Sequence, residues 1–284
     1  MLFDLQAITF QYPETTALDG VSLSIAAGER VVILGANGSG KSTLLRLLDG
    51  LDHPTAGSVF FDGSELSEAS LADDRFAFDF RRRVGMVFQN SDVQLFNPTV
   101  FDEIAFGPLQ MRWPKDRIAD RVETAMAEME IAHLKDRSPH RLSGGEKKRV
   151  ALASVLILNP DVLLLDEPTT ALDPRSQSHM IDFLSAGGGT QTTVTATNDL
   201  SIVEEIADRC YVLDGGRVAA RGTPREILAD EPLLRRARLL HVHRHRHESG
   251  VLHSHPHRPG HHDHIAPALS SSPQPPVKEK GPSS

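Results

Sequence analysis

Gly35-Ala36-Asn37-Gly38-Ser39-Gly40-Lys41-Ser42 is the stretch that decides how this 284-residue chain folds. It follows Glu29-Arg30-Val31-Val32-Ile33-Leu34, a continuous apolar run typical of a strand buried on both faces. The leucines of residues 41–51 then fall at helical spacing, and Gly50 supplies a C-terminal stop. Strand, glycine-rich loop and helix in this order make a phosphate loop. The glycines let the backbone wrap so that several N–H groups face a bound phosphate, and the following helix adds the positive end of its dipole. Lys41 brings a mobile cation, and the Ser42 hydroxyl is a ligand for Mg²⁺. A chance glycine-rich turn would lack the Lys-Ser pair and the flanking elements.

A phosphate loop that hydrolyses needs a metal-holding acid and a base. Val162-Leu163-Leu164-Leu165-Asp166-Glu167 offers both at the end of a second buried strand. Asp166 is placed to hold Mg²⁺, directly or through water, and Glu167 to orient and deprotonate an attacking water. Two acids that merely cap a strand are the plain alternative, less common for an adjacent pair followed by Pro168. Further strands are expected at residues 2–12, 21–28, 57–63, 84–89 and 192–197. Residues 210–222 read as a hairpin turning on Asp214, Gly215 and Gly216. Residues 99–135 turn helical and charged, as an all-helical insertion would. Apolar strands alternating with helices imply a mostly parallel sheet covered on both faces.

The composition is uneven. Apolar residues make up 39% of the chain, and the formal charge is -8. Residues 241–284 hold five Lys/Arg against three Asp/Glu, leaving 25 against 35 for residues 1–240, a body of -10. That acidity argues against a nucleic-acid partner bound by a broad basic surface. No window reaches the apolar length of a membrane helix, and the N-terminus lacks a signal-peptide pattern. The single cysteine, Cys210, cannot close an intrachain disulfide, which fits a reducing cytoplasm, and it reads as a small buried apolar residue. Ten of the fourteen histidines fall in the tail: His241, His243, His245, His247, His253, His255, His257, His261, His262 and His264. Neutral imidazole suits Ni²⁺, Co²⁺, Cu²⁺ and Zn²⁺, so the tail is a candidate transition-metal binder. A solvated low-complexity tail without a role is the alternative.

Leu142-Ser143-Gly144-Gly145-Glu146-Lys147-Lys148-Arg149 resembles the LSGGQ signature of ABC-type ATPases, and it lies upstream of the segment Leu163-Leu164-Leu165-Asp166-Glu167-Pro168 at the family's spacing. With the phosphate loop, Gln89 and the Ala171-Leu172-Asp173 segment, the resemblance covers about residues 1–230. It implies an α/β fold: a P-loop NTPase core of ABC ATPase type, an antiparallel β subdomain, an α-helical subdomain at about 97–155, and a disordered C-terminal tail at 241–284 after a cassette at 1–240. It implies ATP and Mg²⁺ as cofactors and a dimer with a second ATPase subunit. In that dimer each ATP is sandwiched between the phosphate loop of one subunit (Gly35 to Ser42, and Thr43) and Ser143, Gly144, Gly145 and Glu146 of the other. Tyr12 resembles the aromatic residue that stacks on adenine, and Gln89 the residue that touches Mg²⁺ or the lytic water. Asp173 resembles a residue that lines the dimer interface.

One position departs from the pattern. Where the family usually has a histidine after the strand at 192–197, this chain has Asn198, which can donate an amide N–H to a γ-phosphate but cannot carry a proton. Retained hydrolysis is expected, because both acids and the signature are intact.

The segment Val87-Phe88-Gln89-Asn90-Ser91-Asp92-Val93-Gln94-Leu95-Phe96 and its continuation to Pro108 are similar to the ATPases of energy-coupling-factor importers, with the cobalt/nickel branch closest. That resemblance implies an integral membrane transport subunit and a substrate-capture membrane subunit as partners. It also implies a peripheral location on the cytoplasmic face of the membrane. An importer of a vitamin or zinc, a soluble non-transport ABC ATPase and a metal-storage protein are the competing readings.

Overall fold

The structure, a computed structural model, describes residues 1–186, 191–246 and 252–257, with the backbone alone for 241–246 and 252–257. Strands β1 (Phe3–Tyr12), β2 (Thr15–Ile25) and β3 (Arg30–Leu34) lead into α1 (Lys41–Leu48). Next come β4 (Ala56–Phe61), β5 (Ser64–Glu65), α2 (Glu68–Leu71), α3 (Asp74–Arg83) and β6 (Val84–Val87). A helical stretch follows: α4 (Val100–Gln110), α5 (Lys115–Glu128) and α6 (Gly144–Leu156). The core resumes with β7 (Val162–Asp166), α7 (Pro174–Ser185), β8 (Thr192–Thr197), α8 (Val203–Ile206), β9 (Arg209–Asp214) and β10 (Arg217–Gly222). Helices α9 (Pro224–Ala229) and α10 (Glu231–Arg236) and the strands β11 (His241–Arg246) and β12 (Leu252–His257) complete it.

Six strands form the central sheet in the order β10-β9-β3-β8-β7-β6, parallel except for β10. Four more form an antiparallel sheet in the order β2-β1-β4-β5. The central strands alternate between two cores, as period two requires. Val31, Ile33, Val162, Leu164, Val194 and Leu213 pack with α1 and the antiparallel sheet. Val32, Leu34, Leu163, Leu165, Cys210 and Val212 pack with the helical stretch and the later helices. A sheet buried on both faces has no polar side, which is why β3 and β7 read as near-continuous apolar runs. Tyr211, fully buried, ties the two sheets together: its hydroxyl donates to the Ser24 carbonyl at 2.9 Å.

Local chemistry ends the elements where the sequence suggests. Leu51 N–H bonds back to the Arg46 carbonyl and Gly50 N–H to the Leu47 carbonyl, a Schellman closure of α1 with Gly50 left-handed. Gly215 and Gly216 both take positive φ in the β9–β10 turn. Burial pushes the Cys210 thiol up to about 12, so it stays protonated and apolar in character.

Residues 68–83 form two helices, and Arg83, half-buried at the end of α3, bonds to Asp161 at 2.6 Å and Asp62 at 2.9 Å with its guanidinium over the Phe61 ring. In the tail, the backbones of β11 and β12 pair antiparallel. Two alternating six-residue runs on either side of a Ser-Gly turn signal account for that pairing. His247, His261, His262 and His264 lie outside the described residues.

Candidate functional site

Parallel sheets bind ligands outside the carboxyl ends of their strands, and there the sequence motifs meet. Leu34 ends β3 opposite Thr197, which ends β8; Asp166 ends β7 opposite Ala196; Val87 ends β6 opposite Leu165. The next segments along one edge are therefore the glycine loop, Asn198, Glu167 and Gln89. Four distant stretches of sequence become neighbours through register alone.

The glycine loop runs from Gly35 to Gly40 with Ala36, Asn37, Gly38 and Ser39 between them. Gly40 sits at φ 104°, and a Cβ there would come 2.5 Å from the Ala17 carbonyl, so only glycine fits immediately before α1. Lys41 is buried, and its Nζ donates to the Gly35 carbonyl at 2.9 Å and the Ala36 carbonyl at 3.4 Å. Ser42 is exposed at the helix start, and Thr43 beside it is buried. Tyr12, exposed at the end of β1, holds its hydroxyl 3.4 Å from Thr43 Oγ1, so its ring stands at the entrance to the loop.

Glu167 is the strained residue of the site. Its φ is +44°, a left-handed conformation that costs a non-glycine residue on the order of 1–3 kcal/mol. Several bonds hold it there. Its N–H donates to the Ala196 carbonyl at 2.9 Å. Its Oε2 accepts from Thr197 Oγ1 at 3.2 Å, Thr170 Oγ1 at 3.4 Å and the Asn198 N–H at 3.4 Å. Its Oε1 lies 3.2 Å from Lys41 Nζ, an ion pair out of line for a hydrogen bond, so that oxygen keeps its hydrogen-bonding capacity. Asp166 Oδ1 is likewise buried with no hydrogen-bond partner among the described residues. An unspent carboxylate oxygen beside a serine hydroxyl and a phosphate loop is the oxygen donor set that a hard cation such as Mg²⁺ takes, so these residues fit it. Asn198 directs its side chain at the loop, Nδ2 donating to Asn37 Oδ1 at 3.3 Å.

The signature lies at the start of α6. Ser143 caps the helix and Glu146 returns the bond, Ser143 N–H donating to Glu146 Oε2 at 2.8 Å. The bonds from Ser143 hold the Glu146 carboxyl below its usual range. Gly144 is exposed and Gly145 buried. A Cβ on Gly145 would meet Ser176 Oγ at 2.6 Å, so the signature packs directly on the start of α7. Asp173 caps α7, accepting from Ser176 Oγ at 2.7 Å.

Lys148, in the second turn of α6, joins this site although the sequence gives it no such place. It is 3% exposed, and its Nζ donates to the Phe88 and Gln89 carbonyls, both at 2.9 Å. Burial pushes its ammonium down to about 8, while Asp166 and Glu167 push it up, so it is charged at neutral pH. Lys41 and Lys148 thus balance Asp166 and Glu167 in one largely buried cluster. The helix that carries the signature is thereby pinned to the backbone of Gln89. Lys148→Met is expected to lower kcat on the order of tenfold to a hundredfold by releasing Gln89, with KM for ATP little changed. Lys148→Gln keeps one donor and should fall between; steady-state ATPase kinetics of both variants checks this.

Residues 18–170 match the ABC transporter family model. The chain is 55% identical over 242 residues to a nickel import ATP-binding protein, NikO, of Rhodobacter capsulatus, covering 84% of this chain and 95% of that one. It is 41% identical to the energy-coupling factor transporter ATP-binding protein EcfA of Methanothermobacter thermautotrophicus, over 84% and 76% of the two chains. Among solved structures it matches CbiO1 of Clostridium perfringens, part of the ABC transporter complex CbiONQ, at TM-score 0.70 and 37% identity over 84% and 94% of the chains. It also matches MJ0796, a dimeric ATP-binding cassette in a post-hydrolysis state bound to ADP and Pi, at TM-score 0.71 and 29% identity over 78% and 99%. With the phosphate loop, the paired acids and the signature in one fold, this chain belongs to the ABC transporter family, as an ATP-binding subunit with ATPase activity.

Proposed function

We propose that the chain powers import of a transition-metal ion, Ni²⁺ or Co²⁺, through a membrane complex, from a peripheral position on the cytoplasmic face. The observation that carries this reading is the 55% identity, over 84% of this chain, to a protein named as a nickel import ATP-binding protein. In the working dimer, Gly35 to Thr43 hold the phosphates of one ATP, with Lys41 exchanging Glu167 for the γ-phosphate. Tyr12 stacks on the adenine. Ser143, Gly144, Gly145 and Glu146 of a second copy close over the γ-phosphate with a capping hydroxyl and the free N–H groups of a helix start. Ser42, Asp166 and Gln89 are the residues that would hold Mg²⁺, which neutralises charge on the phosphate oxygens. Glu167 takes the proton of the attacking water, and Asn198 donates to the γ-phosphate. The rate comes mainly from charge already in place around the transferring group.

The membrane partner is supported by an exposed apolar patch downstream of Gln89. Phe96 is 61% exposed and Val93 71%, with Phe106 packed edge-on against Phe96 at 5.0 Å. Exposed aromatic side chains in contact with one another mark a surface that another protein covers. No helix among the described residues is long and apolar enough to cross a membrane, so the permeation path would belong to other subunits. The EcfA similarity supports a second reading, the same machine with a different cargo.

The test assembles the purified chain with its membrane partner and measures ATP hydrolysis. Turnover by the wild-type chain, changed little by Asn198→His, is the expected result. Absence of turnover that Asn198→His restores would overturn the assignment of catalysis to Glu167 with Asn198 in place.

A further inference from the structure

β6 is an edge strand of the central sheet, and its ladder with β7 ends where Val87 faces Leu165. The next backbone donor, the N–H of the partly buried Phe88, lies beyond that last rung and needs a partner of its own. Gln94 supplies it. After Gln89 the chain turns back through Ser91–Val93, a single 3₁₀ turn capped by Asn90, and Leu95 enters the same core as Val100, Ile104 and Ala151. Just before Leu95, Gln94 Oε1 accepts from the Phe88 N–H at 3.1 Å, and Gln94 Nε2 donates to the Ala151 carbonyl of α6 at 3.3 Å. A side-chain amide accepts at one atom and donates at the other, which suits it to bridge an N–H and a carbonyl.

The bridge matters because of the residue it adjoins. Lys148 already holds the Phe88 and Gln89 carbonyls, so with Gln94 in place Phe88 is held at its N–H and its carbonyl alike. The exposed Gln89 side chain then leaves a backbone fixed on its N-terminal side. We propose that Gln94 is a positioning residue for ATP hydrolysis: its bond to Phe88 sets where the Gln89 amide stands, and its bond to Ala151 anchors Gln94 itself. This rests on the reading that Gln89 touches Mg²⁺ or the lytic water. A displacement of about 1 Å at a reacting group costs up to about 10²-fold in rate, so a lost anchor one residue away is measurable.

Two variants split the two bonds. Gln94→Glu keeps an acceptor for the Phe88 N–H and loses the donor to Ala151, whereas Gln94→Lys keeps a donor and loses the acceptor. ATP hydrolysis is measured on the full chain assembled with its membrane partner. Gln94→Lys should lower kcat about tenfold with KM for ATP within about twofold, and Gln94→Glu should stay within about threefold of wild type. The reverse order would mean that Gln94 merely ties the segment to α6, and would overturn the proposal. In a Gln89→Ala background Gln94→Lys should cost no more than about twofold further, because the effects of residues that act through one another do not add. An equal loss in both backgrounds, or wild-type rates from Gln94→Lys beside a slow Gln89→Ala, would also overturn it. A Gln89→Ala chain as fast as wild type would instead remove Gln89 from the reaction, and the reading beneath the proposal would fall.

Discussion

Glu167→Gln is expected to lower ATP turnover by about 10²–10⁴-fold while leaving ATP bound. Glutamine keeps the length of the side chain, and its amide oxygen can still accept from Thr197, Thr170 and the Asn198 N–H. It cannot take a proton. The left-handed φ at this position belongs to the backbone, held by the bond from Glu167 N–H to the Ala196 carbonyl, so the substitution leaves the turn in place. Affinity for ATP should hold or rise, because Lys41 loses its ion-pair partner at 3.2 Å and is freer to meet phosphate. Single-turnover hydrolysis beside nucleotide titration checks both halves. Turnover within a few-fold of wild type would remove Glu167 from the role of base.

Lys41→Met should act on binding instead. The variant keeps a buried side chain of similar length but removes the donor to the Gly35 and Ala36 carbonyls and the cation facing Glu167. A charged hydrogen bond is worth about 1.5–3 kcal/mol, so ATP affinity should fall by roughly ten- to a hundredfold or more. The buried acids do not lose all compensation, since Lys148 still interacts with Asp166 and Glu167. Folding should therefore survive, and circular dichroism beside nucleotide titration separates lost binding from lost structure. Undiminished affinity would mean that the backbone N–H groups of the loop suffice.

Much of this site is legible in the sequence because its parts are local. The glycine loop declares itself between a strand and a helix, Asp166-Glu167 ends an apolar run, and Ser143 with Glu146 spells a capping box. What brings them to one edge is the order of the central sheet, and alternating strands and helices predict a parallel sheet without giving that order. Lys148 was not legible at all. A lysine in a charged run at the start of a helix reads as solvated, and its partners at Phe88 and Gln89 lie about sixty residues upstream. Arg83 escaped for the same reason, since Asp62 and Asp161 reach it only once α3 has docked beside β6. The strain at Glu167 has no sequence signal, because nothing in the residue type announces a positive φ. The tail shows the converse. Its alternation was visible, but only the register shows the histidines to be paired.

The central claim is that ATP hydrolysis at Glu167 drives inward movement of a transition-metal ion. It is tested most directly by uptake of Ni²⁺, Co²⁺ and Zn²⁺, measured in parallel in cells that carry the membrane subunits with either the wild-type chain or Glu167→Gln. Accumulation of Ni²⁺ or Co²⁺ with the wild-type chain, lost with Glu167→Gln, is the predicted result. Equal accumulation of all three ions with both chains would contradict it.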